Sequence, residues 1–148
     1  MHVAVPAAVF AGVLIAIQAA ILGAFGERLN PFVASTWVHV GGLLFGATGV
    51  LVARLGFHVD VVRQTPWGLL AGVAGLLLVS GIAVAVGGIG LASTLAIVTA
   101  VQLLVGFGLE ASGLLGRTVA LDPVRIGGAV LIVVGVYLVA ARGPGVAA

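Results

Sequence analysis

The sequence predicts an all-α membrane protein with five transmembrane helices. Of its 148 residues, 62% are hydrophobic and only 7% are charged, and the mean hydropathy is +1.38. A water-soluble domain could not cover its surface with so few polar groups. The arginines lie in short gaps between apolar runs, and about 20 apolar residues suffice for a helix to cross a bilayer. These gaps hold Arg28, Arg54, Arg63, Arg117, Arg125 and Arg142.

The five spans are expected to form a single transmembrane domain covering residues 1–148. Pro31 is placed to open the second span, and Trp67 lies where an interfacial aromatic belongs at the start of the third. Asp122 and Pro123 have the pattern of an N-cap followed by a first-turn proline. The approximate spans are residues 3–25, 32–53, 67–86, 91–110 and 123–141.

The connections are expected to be short, apart from a loop between Arg54 and Pro66. Gly87, Gly88 and Gly90 predict a tight hairpin that joins the third and fourth spans. The fifth span should end near Arg142, where a Gly-Pro-Gly sequence follows. Several spans carry glycine or alanine on one face, a pattern typical of close helix packing in lipid. These small residues are Ala8, Gly12, Ala16, Ala19 and Gly23 in the first span, Gly42, Gly46 and Gly49 in the second, Gly68, Gly72 and Gly75 in the third, and Gly128 and Gly135 in the fifth.

The sequence does not indicate an enzyme. It contains no cysteine, so disulfides and thiolate sites are excluded. No metal-ligand cluster, nucleophile with a base, or phosphate-binding loop is recognisable, and therefore no catalytic residue, metal or cofactor is predicted. The net charge of +2 does not indicate nucleic-acid binding, because the arginines lie at span ends instead of forming a patch with aromatics.

The fourth span contains a stripe of polar residues. Thr99, Gln102 and Glu110 share one helical face with Ala92, Leu95 and Gly106, and such a stripe could line an aqueous pathway. Glu110 could bind a cation or exchange a proton if it is partly desolvated. The alternative is that Glu110 lies at the water interface and simply ends the helix.

The first two spans hold the other candidate pathway residues. Gln18 lies well inside the first span, away from its small residues, and predicts a cavity, a subunit interface or an interhelical hydrogen bond without a substrate role. Trp37 and His39 belong to a polar cluster near the start of the second span. They are either interface anchors or, if the helix begins deeper, an aromatic face beside a histidine that could hold a cationic ligand.

The arginine distribution gives only a weak orientation. With five spans, four arginines share a side with the N-terminus and two lie opposite, which favours a cytoplasmic N-terminus. A chain with so small a bias could insert both ways, and two inverted copies could then pair as an antiparallel dimer of ten helices. One fixed orientation is the alternative.

Nearly the whole chain resembles the YdcZ-like family of small five-helix proteins in the drug/metabolite transporter superfamily. The resemblance rests on Trp67, Gly72, Gly75, Gly90, Gln102, an acidic residue at 110, Gly113, and Gln18 with Asn30. The family usually has Gly-Gln where this chain has Val101 and Gln102, and Asp-His where it has Glu110 and Ala111. The related four-helix small multidrug resistance proteins depend on a glutamate in their first helix, where this chain has Gln18.

The resemblance implies an inner-membrane transporter unit of five helices, equivalent to half of the ten-helix members. Such a unit would work as an antiparallel homodimer or with a closely related second chain, and its partners would be the lipid bilayer and a small-molecule substrate. A permease with a central polar cavity and a noncatalytic partner subunit that scaffolds another membrane protein are the two functions that remain.

Overall fold

The computed structural model describes residues 3–113 and 122–141, and within them it is helical except at short connections. The helices are α1 Ala4–Gly26, α2 Pro31–Val52, α3 Val59–Gln64, α4 Leu70–Ile89, α5 Leu91–Ser112 and α6 Pro123–Ala140, with a 3₁₀ turn at Pro66–Leu69 before α4. Five helices are long and apolar enough to cross a membrane, namely all except α3, with the 3₁₀ turn extending α4. The described ranges contain no strand. The expected all-helical membrane protein with five spans is thus confirmed.

The helix starts predicted from proline and capping residues are confirmed. Asn30 accepts a 2.9 Å hydrogen bond from the backbone N–H of Phe32, and Pro31 occupies the first turn of α2. Asp122 likewise accepts a 2.9 Å hydrogen bond from the backbone N–H of Arg125, and α6 begins at the following proline. Each cap pairs an N–H group that the helix itself cannot satisfy.

The connection between the third and fourth spans differs from the expected hairpin. Gly87 and Gly88 are helical and α4 continues to Ile89, so Gly90 alone joins α4 to α5. Gly90 has φ 79°, a conformation that favours glycine. Apolar surroundings explain the difference, because a helical glycine in lipid keeps its N–H and C=O groups paired within the helix.

The loop between the second and third spans also holds more structure than expected. The short helix α3 and the 3₁₀ turn occupy most of it. Arg54 and His58 adopt positive φ angles of 54° and 43° on the way into α3. The expected loop residues Gly116 and Arg117, and the expected end of the fifth span at Arg142, lie outside the described residues.

The chain forms two compact units, residues 1–87 and 88–148. In the first unit α1, α2 and α4 share a small core formed by Leu22, Ala34, Val79 and Ala83, against which Val38 packs. A hydrogen bond of 2.8 Å from the Ser35 hydroxyl to the carbonyl oxygen of Leu76 ties α2 to α4 beside this core. Ser35 is fully buried.

Only part of the small-residue faces is packed within the first unit. A Cβ added at Gly23 would lie 2.6 Å from Cγ1 of Val86, so α1 and α4 approach closely there. A Cβ at Gly12, Gly46 or Gly72 would meet nothing within 4 Å among the described residues. The packed ends are the C-terminal half of α1, the N-terminal half of α2 and the C-terminal half of α4. Successive spans alternate in direction, so these halves lie in one leaflet, and Gly12, Gly46 and Gly72 in the other leaflet are open.

The second unit consists mainly of α5 and α6, which pack along each other. Ala100 on α5 and Ala129 on α6 are buried. Farther along the same helix pair, an apolar groove of about 440 Å³ is lined by Leu104, Phe107, Gly108, Ile126, Ala129, Val130, Val133 and Val134. Its walls belong entirely to this unit.

Candidate functional site

Gln18 is an exposed amide on an otherwise apolar surface of α1. It borders a groove of about 360 Å³ together with Leu14, Ile17, Ile21 and Val38. Its side chain makes no hydrogen bond to any described residue. An unpaired amide in hydrocarbon costs roughly 2–7 kcal/mol, so in a membrane this face requires a polar neighbour that the described residues do not supply.

His39 lies half-buried on α2 and is held by its own helix. Its Nδ1 donates a 2.8 Å hydrogen bond to the carbonyl oxygen of Ser35. The other ring nitrogen, Nε2, points toward α4, where it lies 3.3 Å from the position a Cβ on Gly75 would occupy. Glycine at position 75 therefore makes room for the imidazole. In the neutral ring Nε2 is an acceptor, and no described residue donates to it.

Trp37 does not join His39 in one binding face. The two residues are separated by about 200° around α2, at about 100° per residue. Trp37 is 61% exposed and its indole N–H has no partner among the described residues. An aromatic surface beside the histidine therefore cannot come from this pair within a single chain.

Thr99 and Gln102 lie on one stripe of α5, as the uninterrupted helix Leu91–Ser112 requires. Both are exposed, and neither forms a hydrogen bond with a described residue. Four other hydroxyls in the spans behave differently, because each donates to a carbonyl oxygen four residues earlier. These are Thr36, Thr48, Ser80 and Thr94, with distances of 2.7 to 2.9 Å.

Each of the unpartnered polar side chains lies near the middle of its own helix. At 1.5 Å per residue, Gln18, Thr99 and Gln102 lie within about 5 Å of the middle of their own helices. His39 lies about 4 Å from the middle of α2 by the same measure. Transporters commonly place substrate sites near the bilayer midplane, and this depth follows from each helix alone.

Glu110 lies at a different depth and has a partner. It is about 13 Å from the middle of α5, near the helix end at Ser112. Its Oε2 is 3.5 Å from Nη1 of Arg125, in the first turn of α6, and both side chains are nearly half exposed. The Nε of Arg125 is 3.6 Å from Oδ2 of Asp122. The structure thus places Glu110 in an interfacial cluster of one arginine between two carboxylates.

Two contacts were not anticipated from the sequence. Ser35 connects α2 to α4, and nothing in the sequence distinguishes it from the neighbouring Thr36, whose hydroxyl bonds its own helix. Arg125 pairs with Glu110 across fifteen residues of sequence. Its position one turn after the Asp122 cap was a usable signal, since it places a cation at the same membrane surface as the end of α5.

Comparison with known families gives one finding. The family described as "Putative inner membrane exporter, YdcZ" matches residues 3–138 of the chain. That range includes all five membrane-length helices except the last residues of α6. Comparisons with curated proteins and with solved structures give no match.

Proposed function

Because the chain belongs to the YdcZ family of inner membrane exporters, we propose that it exports a small polar molecule through a pathway at the middle of the bilayer. It is an integral inner-membrane protein, and its family is one of exporters, not enzymes. In the proposal the pathway is lined by the polar residues of the span middles, Gln18, His39, Thr99 and Gln102. Trp37 and Glu110 lie farther from the midplane, toward the pathway's entrances.

The observation that carries the proposal is a set of unpartnered polar groups, each near the middle of its own helix. Two amides and the Thr99 hydroxyl lack hydrogen-bond partners among the described residues. Four other span hydroxyls donate to their own helices, those of Thr36, Thr48, Ser80 and Thr94. Polar groups inside a membrane are costly unless they face protein, water or a ligand. In an exporter, a passing substrate can supply the missing hydrogen-bond partners and so remove this cost.

The proposed working unit is an antiparallel dimer, either of two copies or of one copy with a closely related chain. In an inverted copy, each residue lies at the same distance from the midplane but in the opposite leaflet. Only residues near the midplane therefore lie at the same level in both copies. Gln102 is about 1 Å from the middle of α5, and two inverted copies therefore bring their Gln102 side chains to the same level. Inverted repeats around a midplane site are the arrangement by which many transporters alternate access.

The chemistry of the pathway favours hydrogen-bond recognition. Each glutamine offers two N–H donors and one carbonyl acceptor, and the Nε2 of a neutral His39 adds an acceptor. None of these groups carries a fixed charge, so the proposed substrate is a polar molecule with several donors and acceptors. The carboxylates at the interface would attract a cation to the entrance without binding it at the centre.

The test is flux in proteoliposomes, recorded on solid-supported membranes with guanidinium, quaternary ammonium, sugar and amino-acid probes. We expect Gln102→Ala to lower the flux of a transported probe at least about tenfold, the effect of losing roughly 1.4 kcal/mol of binding. Ser80→Ala is the matched control, because the Ser80 hydroxyl is satisfied by Leu76 on its own helix. Equal flux in the wild type and the Gln102 variant would contradict the proposed pathway.

The second candidate function is a noncatalytic partner subunit. The open glycines of one leaflet, such as Gly46 and Gly72, favour it because small residues permit close helix association. It would be supported if no probe is transported and if large substitutions at these glycines abolish a stable membrane complex.

A further inference from the structure

The groove between α5 and α6 ends at the charged cluster already described. Gly108 and Ile126 lie at this end of the groove, and Arg125 of α6 pairs with Glu110 of α5. On α6, Arg125 is one turn before the groove residue Ala129, and on α5, Glu110 is three residues after Phe107. Residues three or four apart share a helix face, so the cluster and the groove form one continuous surface.

The depth of this surface matches a phospholipid. Asp122 caps the start of α6 and Glu110 lies near the end of α5, so the cluster is at the level of lipid headgroups. From Ile126 to Val134 the groove extends about 12 Å along α6 at 1.5 Å per residue. It therefore runs from the interface into the hydrocarbon layer, where an acyl chain would lie.

The charges of the cluster select the headgroup. Among the described residues it contains two carboxylates and one guanidinium, a sum of −1. An anionic headgroup would leave the carboxylates without a partner, and a purely cationic amphiphile would leave the arginine without one. A headgroup with both a phosphate and a primary ammonium fits both signs, since arginine pairs with phosphate and an ammonium donates to a carboxylate.

We propose that this groove and cluster bind one phospholipid of the ethanolamine type, with its phosphate on Arg125, its ammonium on Glu110 or Asp122, and an acyl chain along the groove. Choline headgroups have no N–H and cannot donate these hydrogen bonds. The site is separate from the midplane pathway, so the proposal does not depend on the exported substrate.

The test is native mass spectrometry of the full chain released from nanodiscs of equal parts ethanolamine, choline and glycerol phospholipids. We expect retained ethanolamine lipid in clear excess over the other two. Glu110→Gln should lower that retention about tenfold or more, as expected for one charge-assisted hydrogen bond. Glu27→Gln, in the exposed turn after α1, is the charge control and should change nothing.

A second pair of variants tests the groove itself. Gly108→Leu fills it, and the Cβ of the new side chain meets no atom within 4 Å. We expect loss of bound ethanolamine lipid with an unchanged helical circular dichroism spectrum. Gly128→Leu is the matched control, because this glycine of α6 is equally open and does not line the groove.

Three outcomes would overturn the proposal. They are equal retention of the three lipids, a preference for the glycerol lipid, and retention that Gly108→Leu and Glu110→Gln leave unchanged. A competition experiment gives a fourth contrary outcome. If a quaternary ammonium probe displaces the bound lipid equally well from the wild type and from the Glu110→Gln variant, the carboxylate plays no part in binding.

Discussion

At the residue scale, Gly23 is the glycine with the least room for a side chain among the described glycines of the first unit, because it lies against Val86. A Cβ at Gly23 would lie 2.6 Å from Cγ1 of Val86, well inside van der Waals contact. Gly23→Ala should therefore lower thermal stability in detergent by about 1–3 kcal/mol, the usual cost of overpacking.

Gly12→Ala is the matched control for this prediction, because it lies on the same helix and its added methyl meets nothing. Alanine exceeds glycine in helix propensity by up to about 1 kcal/mol, so the control should be neutral or slightly stabilising. The double variant Gly23→Ala with Val86→Ala should recover part of the loss. Additive losses would show that the two residues do not touch.

The residues also show where sequence reasoning stops. The cap at Asp122 and the helix start at Pro31 were predictable, because each depends on local sequence alone. The hydrogen bond from Ser35 to Leu76 and the pair of Glu110 with Arg125 were not, because each depends on which helix faces which. The depths of Gln18 and Gln102 were nearly fixed by the span limits, whereas the identity of their partners was not.

At the element scale, the number of spans followed from hydropathy, but the glycines between α4 and α5 misled the prediction. Gly87 and Gly88 are helical, and only Gly90 has a positive φ. Turn preferences taken from water-soluble proteins overstate how often glycine ends a helix, since a membrane helix keeps its backbone groups paired. Composition alone cannot distinguish a glycine inside a helix from a glycine at positive φ between two helices.

These two kinds of glycine give opposite expectations. Gly88→Ala should raise stability by up to about 1 kcal/mol, because a helical glycine gains propensity on becoming alanine and its Cβ meets nothing. Gly90→Ala should lower stability by roughly 1 kcal/mol or more, because alanine is strained at positive φ. Thermal unfolding in detergent measures both. Equal losses of stability at the two positions would instead support the tight hairpin expected from the sequence.

At the scale of the whole molecule, the antiparallel dimer predicts a specific cross-linking pattern along α5. The chain has no cysteine of its own, so single cysteines report cleanly. Ala92 and Glu110 share the polar stripe and lie on opposite sides of the middle of α5, at similar distances from it. In an inverted pair, position 92 of one copy therefore meets position 110 of the other.

We accordingly expect Gln102→Cys to cross-link to itself, since it lies at the middle of the helix. Ala92→Cys alone should give no dimer band, whereas Ala92→Cys co-expressed with Glu110→Cys should give one. The reagent is a short bifunctional maleimide, and the readout is a gel of whole membranes. A strong band from Ala92→Cys alone would indicate a parallel pair.

The inverted pair also requires that both orientations, or an inverted related chain, exist in the membrane. The arginine count of four against two is a small bias, and loop arginines set orientation. Single cysteines at Glu27 and Asp60, which lie beyond opposite ends of α2, should each be labelled from both faces of the membrane by an impermeant maleimide. Arg28→Gln changes the count to four against one and should shift labelling at Glu27 toward one face. If Arg28 is unchanged and each cysteine is labelled from one face only, dual insertion is refuted. The inverted partner would then have to be a related chain of opposite charge bias.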